Sequence, residues 1–208
     1  RWILAKYFEH GGWQHNDIAL VKADGSGEIH NLTNSGYSDQ NPKWMMNGKA
    51  IIWSTDRQGM RSHGSRGAQY DIYALFLDPE AWDEFRMNKE ELALHKEIKE
   101  LQKRKEAEEK AKAEKKQEKK GDKAGKKGKK EEGDKKDEGE KEGKKAKAEE
   151  NKLPELKIDF ENLEDRMVRL TINSSRLGDA VLTNDASKLY YLSAFEGGYD
   201  LWVRDFKN

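Results

Sequence analysis

A chain of 208 residues in which 38% are charged and only 34% apolar, with a mean hydropathy of −1.13, is too polar to fold uniformly. Its formal charge is zero, yet residues 101–150 hold twenty Lys and Arg against fifteen Asp and Glu, which leaves a mildly acidic remainder that carries all six tryptophans. No run approaches the roughly 18 consecutive apolar residues of a membrane helix, so no membrane span is expected, and without cysteine there is no disulfide, thiol nucleophile or thiolate metal site.

The chain opens on Arg1-Trp2-Ile3-Leu4-Ala5, with no initiator Met and no signal-peptide pattern, as though inside a strand. It reads as a section of a longer protein. Three runs then share one form: Asp17-Ile18-Ala19-Leu20-Val21, Asp71-Ile72-Tyr73-Ala74-Leu75 and Asp200-Leu201-Trp202-Val203. Each follows another apolar run, at Trp2 to Tyr7, Ala50 to Ser54 and Leu189 to Leu192, and the first two precede Asn31-Leu32-Thr33 and Arg169-Leu170-Thr171. Leu32 to Trp53 and Leu170 to Tyr191 are both 21 residues, and Asn47-Gly48-Lys49 aligns with Asp185-Ala186-Ser187. Self-similarity at this scale marks a repeat architecture.

One unit reads as four strands: A, Pro42 to Met45; B, Ala50 to Thr55; C, Asp71 to Leu77; and D, Asp165 to Ile172. Asn47-Gly48 between A and B is a strong hairpin signal, because both central residues of a type I′ turn need positive φ. The chain then holds strands B to D of a first unit, all of a second and A to C of a third. Repeated four-stranded units are the signature of β-propeller blades, so the fold class expected is all-β, a partial propeller of about two and a half blades. The other arrangement open to such hairpins is an antiparallel sandwich, which has no reason to repeat.

Domain boundaries follow: blades over 1–78, a charged insertion over 79–157 and blades again over 158–208. Asp78-Pro79-Glu80 supplies a cap and an N1 proline, and Asn88 with Glu91 a second N-cap, so the insertion is expected to be helical to about 120. Leu94, Ile98 and Leu101 form a narrow apolar stripe able to pack on the blades or on a partner helix. Beyond it only Lys/Glu pairs support the helix, and Gly121 to Glu150 is expected to be disordered. Interleaved carboxylates and the lack of aromatic rings argue against nucleic-acid binding by this tract. In propeller geometry the insertion leaves from the end opposite the long B-to-C loop, Asp56 to Tyr70.

That loop concentrates the chemistry. Arg57, Arg61, His63 and Arg66 lie among glycines and serines, and guanidinium forks match carboxylates. These four are the candidate carboxylate contacts, against the plainer reading of a flexible surface loop. Neither Ser62 nor Ser65 has the G-x-S-x-G setting. The histidines at 10, 15, 30, 63 and 95 lack zinc-site spacing, and no phosphate-cradling loop is read. Catalytic residues, metal and cofactor are therefore all expected to be absent. Asn31-Leu32-Thr33 and Asn173-Ser174-Ser175 are formal glycosylation sequons, read here as strand and turn.

Leu32-Thr33, Asn41-Pro42-Lys43-Trp44-Met45-Met46-Asn47-Gly48-Lys49, the strand ending Ser54-Thr55-Asp56-Arg57 and Asp71-Ile72-Tyr73 together resemble the TolB-type propeller repeat. Met45-Met46-Asn47 departs from that repeat's Ser-Pro-Asp. Adding Ser62-His63-Gly64-Ser65, the charged insertion, Asp165-Arg166-x-x-Arg169-Leu170-Thr171, Leu189-Tyr190-Tyr191-Leu192 and Gly197-Gly198-Tyr199-Asp200-Leu201-Trp202, the chain resembles the propeller region of bacterial Tricorn-protease-like serine peptidases. The resemblance implies a large, oligomeric peptidase whose Ser and His lie on a separate catalytic domain, with the propeller gating or channelling peptides towards it. None of those catalytic positions has a counterpart here. A stand-alone TolB-like interaction propeller and the propeller of a prolyl-oligopeptidase-like enzyme are the alternatives, and cytoplasm and periplasm both stay open.

Overall fold

The computed structural model describes residues 1–8, 15–61, 67–121 and 158–208. Two compact units are present, one formed by residues 1–89 with 156–208 and the other by 90–155. Among the described residues the first unit holds three antiparallel sheets. The first comprises β1 (Trp2–Tyr7), β2 (Asp17–Lys22) and β3 (Ile29–Asn31) in that order. The second runs β4 (Asp39–Met45), β5 (Ala50–Thr55), β6 (Asp71–Phe76) and β7 (Met167–Arg169), and the third β8 (Arg176–Leu182), β9 (Lys188–Ala194) and β10 (Asp200–Asp205). The fold is mostly β, with two helices.

Strands β5 and β6 are buried along their whole length, which explains why their sequences run apolar instead of alternating with polar residues. The middle sheet packs on both faces. Ile51, Trp53, Tyr73 and Leu75 point one way, into a core shared with Ile18, Leu20 and Leu32 of the first sheet. Ala50, Ile52, Ile72, Ala74 and Phe76 point the other way, against Leu182, Leu189 and Tyr191 of the third. Each large apolar chain so buried contributes about 1.5–3 kcal/mol, and this double burial sets the order of the layers.

Local geometry departs from the sequence expectation in three places. Strand A begins at Asp39 instead of Pro42, because a register shift between Gln40 and Lys43 accommodates the proline, with Asn41 at φ 53°. A matching shift lies between Leu177 and Ala180. The Asn47-Gly48 turn has the positive φ of a type I′ turn, 56° and 91°, but Met46 joins it at 53°, so the strands close at Met45 opposite Ala50. Strand D shrinks to β7, because Leu163–Arg166 winds into a 3₁₀ turn. The Arg166 guanidinium pins that turn by donating to the carbonyls of Asp159 (2.7 Å) and Glu161 (2.9 Å).

Helix α1 (Pro79–Arg86) starts as its sequence suggests. Pro79 opens it, and the Asp78 carboxylate accepts the Glu80 N–H at 2.9 Å. It begins beside the Met46–Gly48 turn, where the Leu77 N–H bonds the Lys49 carbonyl, at the end of β6 away from Asp71. Its Ala81, Trp82 and Phe85 pack onto Phe76 and Phe206, so this first turn of the insertion belongs to the β core. In the second unit, α2 (Lys89–Gly121) exposes Leu94, Ile98 and Leu101. The expectation of disorder over Gly121 to Glu150 concerns residues that, after Gly121, lie outside those described.

Candidate functional site

The recurring Asp-Ile and Leu-Thr pairs prove to be two halves of one device. In the middle sheet the Asp71 carboxylate is fully buried and receives four hydrogen bonds from three side chains: Arg169 through Nε (2.9 Å) and Nη2 (2.6 Å), and the hydroxyls of Thr171 (2.8 Å) and Ser174 (2.7 Å). The first three contacts end on Oδ1 and Ser174 on Oδ2. The Thr171 hydroxyl also accepts the Ile72 N–H (3.2 Å), while the Leu170 N–H donates to the Ile72 carbonyl (2.7 Å). In the first sheet Asp17 takes Asn31 Nδ2 (2.9 Å), the Thr33 hydroxyl (3.2 Å) and the Ser35 N–H (2.7 Å). There the Thr33 hydroxyl accepts the Ile18 N–H (3.0 Å), and Leu32 bonds the Ile18 carbonyl (2.8 Å). The lock is the same in both sheets and ties the last strand of each, β3 and β7, to its neighbour.

At the Asp71 end of the middle sheet the long loop meets the segment before β4. Asp56 is buried and accepts the Ser38 N–H at 2.9 Å. Gln40 donates to the Tyr70 hydroxyl at 3.3 Å, and burial, aided by the nearby Asp56 charge, pushes the Tyr70 phenol above its ordinary range. The base of the loop closes where the Gln69 N–H bonds the Met60 carbonyl (2.9 Å). A Cβ at Gly59 would lie 2.0 Å from the Gln69 carbonyl oxygen, so only glycine fits this crossing.

Of the four candidate side chains, Arg57 and Arg61 are brought together over one ring. The Arg57 guanidinium lies 5.2 Å from the centre of Tyr37 and 5.4 Å from that of Tyr73, and Arg61 lies 4.3 Å from Tyr37. They differ in what they leave free. Arg57 is half-buried, its Nη1 reaches Met167 Sδ at 3.5 Å, and its Nε is buried without a hydrogen-bond partner among the described residues. Arg61 is exposed, so its planar fork can take a carboxylate while its face rests on the ring. His63 and Arg66, with Ser62 and Ser65, lie outside the described residues.

Sequence reasoning passed over Tyr37, which supplies the platform. Its signal is positional, since the connection before strand A emerges at the same end as the B-to-C loop. Arg169 also sits at this end, bound to Asp71 and within 3.5 Å of Gln58 Oε1, so it is engaged in the lock. His30 is held by packing, stacked on Phe160 at 4.0 Å and bonded to Glu28 Oε1 at 2.8 Å. Comparison of the chain with protein-family models, curated proteins and solved structures finds no match.

Proposed function

We propose that this chain is a non-catalytic β-propeller segment of a large Tricorn-protease-like serine peptidase, gating or channelling peptides to a separate catalytic domain. The observation that supports the propeller part most is the repetition of the Asp–Thr lock in successive antiparallel sheets stacked face to face, since blades related by rotation repeat both their internal locks and their faces. The peptidase part rests on the resemblance described above. In this reading the Arg61 guanidinium, carried on Tyr37, meets peptide carboxylates at the mouth, with His63 and Arg66 on the same loop, while Arg57 holds the platform together. Remaining blades, a catalytic domain and further subunits complete the enzyme.

The test compares hydrolysis of fluorogenic peptides by the full polypeptide that contains this chain, as wild type and as Arg61→Ala. Cleavage in which KM for peptides with a free C-terminal carboxylate rises about tenfold on substitution, and amidated peptides are unaffected, supports the gate; about one charge-assisted contact is then lost. A polypeptide without hydrolytic activity that holds a protein partner through these sheets would instead be a binding propeller of the TolB kind.

A further inference from the structure

The third sheet repeats the framework of the middle one but has no strand beyond β10 among the described residues. In the middle sheet Asp71 pairs with Thr55 and Tyr73 with Trp53; in the third, Asp200 pairs with Ser193 and Trp202 with Tyr191. Trp53 and Tyr191 both face the preceding sheet, so the two ladders are in the same register and Asp200-Leu201 corresponds to Asp71-Ile72. The Leu77 N–H to Lys49 carbonyl bond recurs as Phe206 to Ser187, which fixes the same alignment at the other strand end. Strand β10 is nevertheless a sheet edge, whereas β2 and β6 each carry a further strand, β3 and β7. Asp200 is exposed, its carboxylate meets no donor among the described residues, and Leu201 and Val203 are 69% and 57% exposed.

Beside this edge an open cavity of about 600 Å³ is lined by Ile172, Tyr191, Phe195, Asp200, Trp202 and Arg204, among others. In the middle sheet Met167 of β7 packs against the core cluster that contains Trp53 and Tyr73, the counterparts of Tyr191 and Trp202. Both occupied edges take a strand of one pattern: an apolar residue, any residue, a donor, then Leu-Thr. Met167-Val168-Arg169-Leu170-Thr171 and Ile29-His30-Asn31-Leu32-Thr33 are the two instances, and in each the donor and the Thr both reach the Asp carboxylate.

We infer that the free edge of β10 is a strand-binding site, and that its occupant is an extended segment from outside these 208 residues with the form apolar-x-(Arg or Asn)-Leu-Thr. The segment's Thr hydroxyl and its Arg or Asn donate to Asp200, its Leu N–H donates to the Leu201 carbonyl, and its apolar residue enters the cavity. Main-chain bonds supply affinity and the carboxylate supplies sequence selection, as in other strand additions to a sheet edge. The inference rests on the repeated lock alone, so its failure leaves the peptidase reading untouched.

A labelled peptide Met-Val-Arg-Leu-Thr-Ile-Asn-Ser, titrated into the full 208-residue chain, tests this by fluorescence anisotropy together with amide exchange over residues 200–205. The expected result is saturable binding with slowed exchange along β10. Affinity should fall at least about tenfold when the peptide Thr becomes Val or its Leu amide is N-methylated, each of which removes a hydrogen bond, or when the protein carries Asp200→Asn, which removes the charge on the acceptor and turns one of its oxygens into a donor. Asp200 is exposed, so that variant should keep the unfolding midpoint of the wild type. Absence of binding, or equal affinity for the Val and N-methyl peptides, overturns the inference. So does protection of the same amides in a dimer of the chain without peptide, because the edge would then be filled by a second copy.

Discussion

At Asp71 a carboxylate with no exposed surface is held by two contacts from one guanidinium and by two hydroxyls, one of which serves a backbone amide as well. Such a group stabilises only while its partners are complete, since desolvation of a charged acceptor is not recovered by a partial shell. Thr171→Val removes one donor to Asp71 and leaves the Ile72 N–H unpaired at nearly constant volume, so urea denaturation should show a loss of about 1–3 kcal/mol. Thr33→Val should cost a similar amount, because Thr33 plays the same part for Asp17 and Ile18. Substituting Asp71 itself with Ala strands Arg169 and should cost more, about 3 kcal/mol or above. Asp185 is a milder case. The Thr183 hydroxyl, and then the Ser187 amide and hydroxyl, lower its carboxyl to about 2 from an ordinary 3.8. A depressed acid contributes stability above its unfolded value and loses it as pH falls through the folded one, so the contribution fades between about pH 4 and pH 2. Since Asp185 is exposed, the contribution is discounted to about 0.5–1 kcal/mol, and Asp185→Asn should flatten that part of the acid-denaturation curve.

Elements were legible in the sequence to the degree that local chemistry controls them. Strands β5 and β6, the Asp78-Pro79 start of α1 and the positive φ at Asn47 and Gly48 all follow from propensity, capping and turn rules applied to the residues themselves. The short β7 did not, because what interrupts it is Arg166 bonding carbonyls at Asp159 and Glu161, a contact invisible to any apolar pattern. For the same reason the candidate site was only half legible: three arginines in one loop are conspicuous, but the ring under Arg57 and Arg61 comes from Tyr37, about twenty positions earlier. Helix α1 ends on a partner of this non-local kind. The Lys207 ammonium donates to the carbonyls of Glu84 (2.9 Å), Phe85 (2.8 Å) and Met87 (2.6 Å), satisfying the last turn and complementing its dipole. Lys207→Met keeps the apolar stem and removes the charge. It should cost about 1 kcal/mol and speed amide exchange within α1 while leaving β5 and β6 protected.

Over the whole molecule, the stack owes its order to a middle sheet with no solvent face, and that sheet is completed by a strand from the far side of the insertion. Strand β7 reaches β6 only after the chain has left at α1 and returned near residue 158, where the Asp159 N–H bonds the Leu77 carbonyl at 3.3 Å. The β unit therefore needs α1 in its core and the chain's return near residue 158 close to the end of β6. Closing a longer loop costs little, because loop entropy grows only with the logarithm of length. Replacing residues 90–155 with a Gly/Ser linker of roughly ten residues, a flexible coil able to span the gap, should leave the β unit folded, with its thermal midpoint within about 3 °C of the parent. Circular dichroism should show the helical signal falling by the contribution of α2 while a single cooperative transition remains. A shortened chain that melts without cooperativity, or loses more than about 2 kcal/mol, would place part of the folding energy in the charged segment and overturn its reading as a solvated spacer.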